Sequence, residues 1–443
     1  MSMGRRPTEH QPELWVPTAD LPQSPGHVFY DKLNGLLSEA NFDRFAEGLC
    51  QPFYADGVGR DSIPPGVYFR MLFVGYFEGL DSQRAIAWRC ADSLSLRAVL
   101  GLPLGEATPD HSSLTRIRQR LPLHVHEQAF LHVLQIAQDK KLLRGKTVAV
   151  DATTLEANAA MRSIVRKDTG EGYKDYLKRL LTEQGVENPT DEDVRRFDKG
   201  RKNKGSNAEW QSPVDPDSRI AKMKDRRTHL AYKAEHVVDL DSEFVVAAPV
   251  YPADQSDPST LLDSLWAAQI NLALAGSAQE IEEAVADKGY HKAQTLLDCE
   301  GFRTRTYIPE PKGRHYKADP QPHRRRAAKA NRRRTETAKS KRLQRRRSEV
   351  VERSFAHVCE TGGARRTWLR GLADVAKRYA IQVAAHNLAL LMRKLFGLGK
   401  PRTLQGTASA FVGMVVALSW LSAVLGLRRY RRTTLNSLAM TCC

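Results

Sequence analysis

The chain has 443 residues, 41% of them apolar, which is enough to fill the cores of two or three domains and too many for a disordered tail. Lys and Arg number 68 against 51 Asp and Glu, a formal net charge of +17, so a polyanion is the expected partner, either nucleic acid or an acidic membrane face. The 6 cysteines are scattered, with no CxxC pair and no His at zinc-finger spacing, which argues against a disulfide framework and a structural zinc site.

Residues 1–28 are Pro-rich and polar and read as a flexible arm; with no apolar run of signal-peptide type at the start, a cytoplasmic protein is expected. From 29 to 140 the pattern is helical. "HVFYDKLNGLL" and "VYFRMLFVGYFEGL" repeat apolar residues at three and four positions, and Pro64-Pro65 sits where the second would begin. "DSQRAIAWRC" reads as a short helix capped by Asp81 or Ser82, and "SLSLRAVLGL" as another. In "ATPDHSSLTRIRQRL" the expectation is a Thr108 cap with Pro109 in the first turn, followed by Arg116, Arg118 and Arg120. Short helices ending in an Arg-bearing one suit a helix-turn-helix-like DNA reader; a plain packing or dimerisation domain with a solvated basic face fits the spacing equally.

After residue 145 the pattern changes. "TVAVD" reads as a strand ending in Asp151, "HLAYKAEHVVDLD" as a second and "FVVAAPVYP" as a third, the last two joined by a turn. Then come a helix, "STLLDSLWAAQINLA"; a short strand, "EAVADKGY", running into Asp287; a helix, "KAQTLLDCEG"; a strand, "RTYIPE"; and the long helix "AKSKRLQRRRSEVVERSFAHV". This order describes a mixed sheet whose first three strands form a meander and whose later strands arrive through crossover helices. Residues 160–228 read as a polar, partly helical insertion after the first strand, and 311–347, with three Arg triplets, as a basic segment. Within the tail 401–443, the stretch 407–427 carries no charge and approaches bilayer-spanning length, but its Gly, Ser and Thr suit a buried or partner-packing helix, and no membrane association is expected.

The fourth strand can lie beside the first in such a sheet, bringing Asp151 and Asp287 into one region. The long helix offers Glu349 and Glu352, three residues apart on one face, as a third carboxylate. Three close carboxylates repel unless a cation neutralises them, and hard divalent ions prefer such oxygens. Two Mg²⁺ ions, with Mn²⁺ as a substitute, would activate a water or a 3′ hydroxyl and stabilise the leaving oxygen of a phosphodiester. The basic segment would neutralise DNA phosphates without reading sequence. No "GxxxxGK[ST]" or "GxSxG" motif is present, which argues against an ATP-driven motor and a serine hydrolase. His124 and His126 are two apart on a helix and face different ways, which favours a structural role over a metal site.

"VAVDATTLEAN", "AVADKGYHK" and "VVERSFAHVCETGGARRTWLRG" resemble the three acidic motifs of the DDE transposases encoded by bacterial insertion sequences. The resemblance extends over roughly residues 30 to 400 and includes "DPDSRIAKMKDRRTHLAYKAEHVVDLD". It implies a ribonuclease H-like α/β core at 145–400, with an all-helical N-terminal domain and a helical insertion after the first strand. It also implies Asp151, Asp287 and Glu352 as metal-binding catalytic acids, with Glu349 as a rival to Glu352. The family places a Tyr and an Arg before the glutamate and a Lys after it; here Arg345, Ser348 and Cys359 stand at those positions. The phosphate-contacting roles are therefore open, and Arg347 or Arg353 would supply the charge after a small shift. Lys288, beside Asp287, is a further DNA-binding candidate. The implied activity is binding of terminal inverted repeats, metal-dependent cleavage and strand transfer, by at least a homodimer on DNA. A DNA-binding derivative without catalysis, and a nuclease of the same fold that cuts but does not join, are the competing expectations.

Overall fold

The computed structural model describes residues 26–55, 57, 59, 61–201, 204–223, 227–311 and 320–401. Most of the expected arm and, beyond Pro401, the apolar tail lie outside the described residues. Among the described residues, seven α-helices precede the first strand: α1 (Val28–Glu39), α2 (Phe42–Cys50), α3 (Pro65–Glu78), α4 (Gln83–Ala91), α5 (Leu94–Val99), α6 (His111–Arg120) and α7 (Leu123–Asp139). Pro65 opens α3, where its missing N–H costs no helical bond, and Gly79 closes it at φ 67°. The buried Arg70 of α3 ties this region together. Its guanidinium donates to both Asp43 oxygens at 2.9 and 2.8 Å, to Asn34 at 2.6 Å and to the Val99 carbonyl at 3.1 Å, so the buried charge is paired and hydrogen-bonded. The start of α6 differs from expectation. Asp110 is the cap, its carboxylate accepting the Ser112 N–H at 2.8 Å, and the helix begins at His111. A carboxylate at a helix N-terminus meets both the free N–H groups and the positive end of the dipole, which displaces Thr108 from that role.

The strands are β1 (Thr147–Glu156), β2 (Val165–Arg166), β3 (Trp210–Gln211), β4 (Arg219–Lys222), β5 (Thr228–Asp239), β6 (Val245–Ala247), β7 (Val250–Pro252), β8 (Glu283–Val285) and β9 (Arg305–Tyr307). The helices interspersed with and following them are α8 (Tyr173–Glu183), α9 (Asp191–Gly200), α10 (Asp257–Leu274), α11 (Ala293–Gly301), α12 (Pro322–Thr335), α13 (Ala338–Phe355) and α14 (Leu372–Phe396). The main sheet has the order β4-β5-β1-β8-β9, with β6 and β7 also paired to β5. β1 runs antiparallel to β5 and parallel to β8, and β8 parallel to β9. The sheet is therefore mixed, with an N-terminal helical region before it. The third expected strand is divided into β6 and β7, with an irregular register against β5 between Val237 and Val238. The insertion is more than helical: α8 and α9 enclose a small cluster of Leu177, Leu181 and Val194, β2 pairs with β3, and β4 joins the main sheet.

Directly opposed residues of an antiparallel pair share a face. Asp151 opposes His236 and Ala152 opposes Glu235, so neighbouring positions on these strands point to opposite sides. His236 meets Ser354 of α13 at 2.8 Å and Tyr379 of α14 at 2.7 Å. Glu235 meets Ser264 of α10 at 2.5 Å. The two sheet faces are thus covered by α13 with α14 and by α10. α14 also packs on α3 and α7: its Asn387 exchanges bonds of 3.1 and 2.8 Å with the backbone of Val245 in β6, and its His386 lies 3.4 Å from Tyr76 of α3. The helical region and the sheet share one hydrophobic core. No helix among the described residues is long and apolar enough to cross a membrane.

Candidate active site

Asp151 does not end its strand. β1 continues to Glu156 because β5 goes on pairing with it as far as Ala231. What stops at this level is β8, whose last partnership is Val285 with Ala149. Asp151 therefore lies just past the point where a neighbouring strand leaves the sheet, and its side chain is 26% exposed. The departing chain reaches Asp287, which caps a 3₁₀ turn at Lys288–Tyr290 by accepting the Gly289 N–H at 2.7 Å.

Burial pushes the Asp151 carboxyl above the usual carboxylate range, and the nearby charge of Asp287 adds to the rise. Arg347 and the Ala152 N–H oppose it: the guanidinium approaches Asp151 to 2.7 Å, and the amide donates at 2.8 Å. Arg347 comes from α13, which also carries both candidate glutamates. Glu352 is exposed and accepts a bond from Ser348 at 2.9 Å. Glu349 is held by Arg353 and by Arg346 at 3.4 Å. Those two arginines also grip Glu243, at 2.9 and 2.6 Å.

The structure thus puts Asp151 and Asp287 within electrostatic range of each other where β8 leaves the sheet, and places Glu352 on the helix that contacts Asp151. It does not close the expected trio: among the described residues, no three His, Cys, Asp or Glu side chains gather as a metal-holding group. Arg347 supplies the positive charge beside Asp151 instead. Two aspartates of this kind still suit a hard divalent ion, which is commonly held by one or two carboxylates together with substrate phosphate.

The arginines of α6 separate. Arg116 and Arg120 are exposed, Arg120 standing 4.6 Å over the Tyr54 ring. Arg118 is turned inward rather than toward DNA: it is 11% exposed, 3.3 Å from Asp374 of α14 and 5.3 Å over Trp368. The helical period explains this, since Arg118 lies between the two outward positions and beside buried Ile117. Lys288 is exposed, while Arg347 and Arg353 are engaged with carboxylates of the chain. His126 is buried against Tyr68 at 3.0 Å, a packing role.

The sequence reading missed a buried group behind the site. Lys233 and Glu235 of β5 are 4% and 0% exposed, 2.7 Å apart, with Asp257 2.8 Å from the same ammonium. The signal was available in "YKAEHVV", where a Lys and a Glu two apart interrupt an otherwise apolar strand.

Residues 19–120 match a family model described as a transposase domain (DUF772), and residues 298–392 match one described as a transposase DDE domain. The second match contains Glu352, Arg347 and Arg353; Asp151 and Asp287 fall outside both. No curated protein matches the chain. The transposase DDE domain implies a nucleic-acid-cleaving and strand-transferring enzyme, and the mixed sheet with its N-terminal helical region is consistent with it. The two matches support a DDE transposase of an insertion sequence, a class that acts on DNA and generally uses divalent metal ions.

Proposed function

We propose that this transposase binds the terminal inverted repeats of its own insertion sequence, cuts the element ends by metal-dependent hydrolysis and joins the freed 3′ hydroxyls to a target phosphodiester. The observation that carries the reading is that Asp151 lies where β8 leaves the sheet, paired with Arg347 of α13 and within electrostatic range of Asp287. Asp151 and Asp287 would hold the divalent ions, with Glu352 as the third acid. Glu349 is the weaker choice because Arg353 and Arg346 already engage it. Two Mg²⁺ ions, or Mn²⁺ in their place, would supply there the charge that activates a water or 3′ hydroxyl and stabilises the leaving oxygen.

The chain's own groups do the rest. Arg347 exchanges Asp151 for a phosphate oxygen when DNA arrives, an exchange that the partial exposure of both side chains permits. Exposed Arg325, Lys329, Arg333, Lys341 and Arg345 on α12 and α13 neutralise backbone phosphates, and Lys288 stands beside Asp287. Arg116 and Arg120 of α6 contact the element ends. Holding two ends at once requires a homodimer or a larger assembly on DNA.

The test is cleavage and strand transfer on oligonucleotide duplexes carrying the element's ends, with Mg²⁺ or Mn²⁺. Pre-cut ends should be joined to target DNA by the wild-type chain, whereas Asp151→Ala, Asp287→Ala and Glu352→Ala should bind the duplex without reaction. Cutting without joining would replace this reading by a nuclease, and reaction by the Asp151→Ala chain would end it.

A further inference from the structure

We infer that Lys233, Glu235, Asp257 and Tyr290 form a clamp that fixes the turn bearing Asp287, so that these side chains position a catalytic carboxylate without touching DNA or metal. The inference rests on the assignment of Asp151 and Asp287 as the metal-binding acids.

Glu235 lies on the sheet face turned away from Asp151, and its carboxylate is saturated. It accepts from Thr260, from Ser264 at 2.5 Å and from the Tyr290 hydroxyl at 3.1 Å, and it pairs with Lys233 at 2.7 Å. A carboxylate so enclosed has no oxygen left for an ion. What it holds is informative, because Tyr290 is the last residue of the turn that Asp287 caps and is itself 0% exposed. One contact of the clamp therefore fixes the far end of that turn.

A second contact fixes its middle. The Lys233 ammonium reaches from Glu235 to Thr260 and Asp257, each at 2.8 Å, and Asp257 lies at the N-terminal end of α10. Gly289 is pressed between acids: a β-carbon there would sit 2.8 Å from an oxygen of Asp257 and 2.9 Å from one of Asp287. Only a residue without a side chain lets both carboxylates close on the turn. Lys233 thus braces Asp257 against the turn from below while Glu235 anchors Tyr290. With the turn held at two points, Asp287 loses the freedom to swing away from Asp151 under their mutual repulsion.

A brace of this kind acts on metal affinity more than on DNA affinity, and removal of such supporting bonds typically weakens metal binding by about ten-fold or more. The experiment uses the full chain bound to pre-cut element-end duplex and titrates Mn²⁺, reading free Mn²⁺ by electron paramagnetic resonance. DNA affinity is followed by fluorescence anisotropy and folding by thermal unfolding. Tyr290→Phe deletes one hydroxyl from a residue that otherwise packs unchanged, and Gly289→Ala wedges the turn from the other side. Both should raise the Mn²⁺ concentration for half-saturation about ten-fold or more while DNA affinity stays at the wild-type value. Mn²⁺ binding within two-fold of wild type in both variants would overturn the clamp, as would weakening that merely follows a lowered melting temperature. Asp151→Asn and Asp287→Asn separate the two levels of the argument. If these lose Mn²⁺ while Tyr290→Phe and Gly289→Ala do not, the clamp alone fails; if they keep it, the assignment of the metal-binding acids fails first.

Discussion

The two faces of the central sheet each set a cation against a carboxylate, with opposite consequences. On the α10 side, Lys233 and Glu235 are almost wholly enclosed and every oxygen of Glu235 is satisfied. On the α13 side, Arg347 and Asp151 are 14% and 26% exposed, with the charge of Asp287 nearby. Attraction between ions is similar in kind at both places, but the cost of separating them is not. Breaking the enclosed pair strands a charge in a dry interior, whereas water, a metal ion or a phosphate can take over either partner of the open one. One pair is architecture, and the other is a site that can exchange partners.

Substitution can break that contrast. Lys233→Met should cost the largest amount, about 3–5 kcal/mol in urea unfolding, because Glu235 is left uncompensated, and adding Glu235→Leu should restore much of it. Arg118→Ala removes a half-buried link between α6 and α14 and should cost about 1–2 kcal/mol. Arg116→Ala or Arg120→Ala should instead leave stability within about 0.5 kcal/mol and reduce the salt dependence of DNA binding by about one unit of slope each. The dry support beneath Asp151 is acid-sensitive. Burial pushes His236 down to about 3, so it stays neutral in the fold while the unfolded chain takes up a proton below its ordinary value. Stability should therefore fall as pH drops from about 6.5 toward 4, by about 1.4 kcal/mol per pH unit for this group, and His236→Gln should flatten the melting profile over that window. At the open pair, Arg347→Ala should change stability by less than about 1 kcal/mol while lowering cleavage of element-end DNA, separating the site's chemistry from its support.

Much of the fold could be read from residue pattern because pattern is local. The apolar spacing of α1 and α3, Pro65 at a helix start and the alternation between strands and crossover helices all follow from backbone geometry. Three departures mark where local information ends. Asp151 was read as a strand end because the apolar run stops there, yet β5 carries β1 onward, a partnership formed with residues some eighty positions away. Arg118 was read with its neighbours as a basic face, but Asp374 and Trp368, remote in sequence, turn it inward. Lys233 and Glu235 drew no notice inside an apolar strand, since burial on a sheet face is decided by what packs over it.

The sequence by itself determined the kinds of element, their order, the basic charge and the acidic motifs, because these depend on side-chain chemistry and spacing alone. Tertiary structure decided which acid meets which. It brought Asp287 within electrostatic range of Asp151 through the parallel pairing of β8, gave Arg347 to Asp151 and Arg353 to Glu243, and sealed Glu235 beneath the turn. Charge–charge energy depends on distance and on exclusion of water, and both are properties of the folded chain.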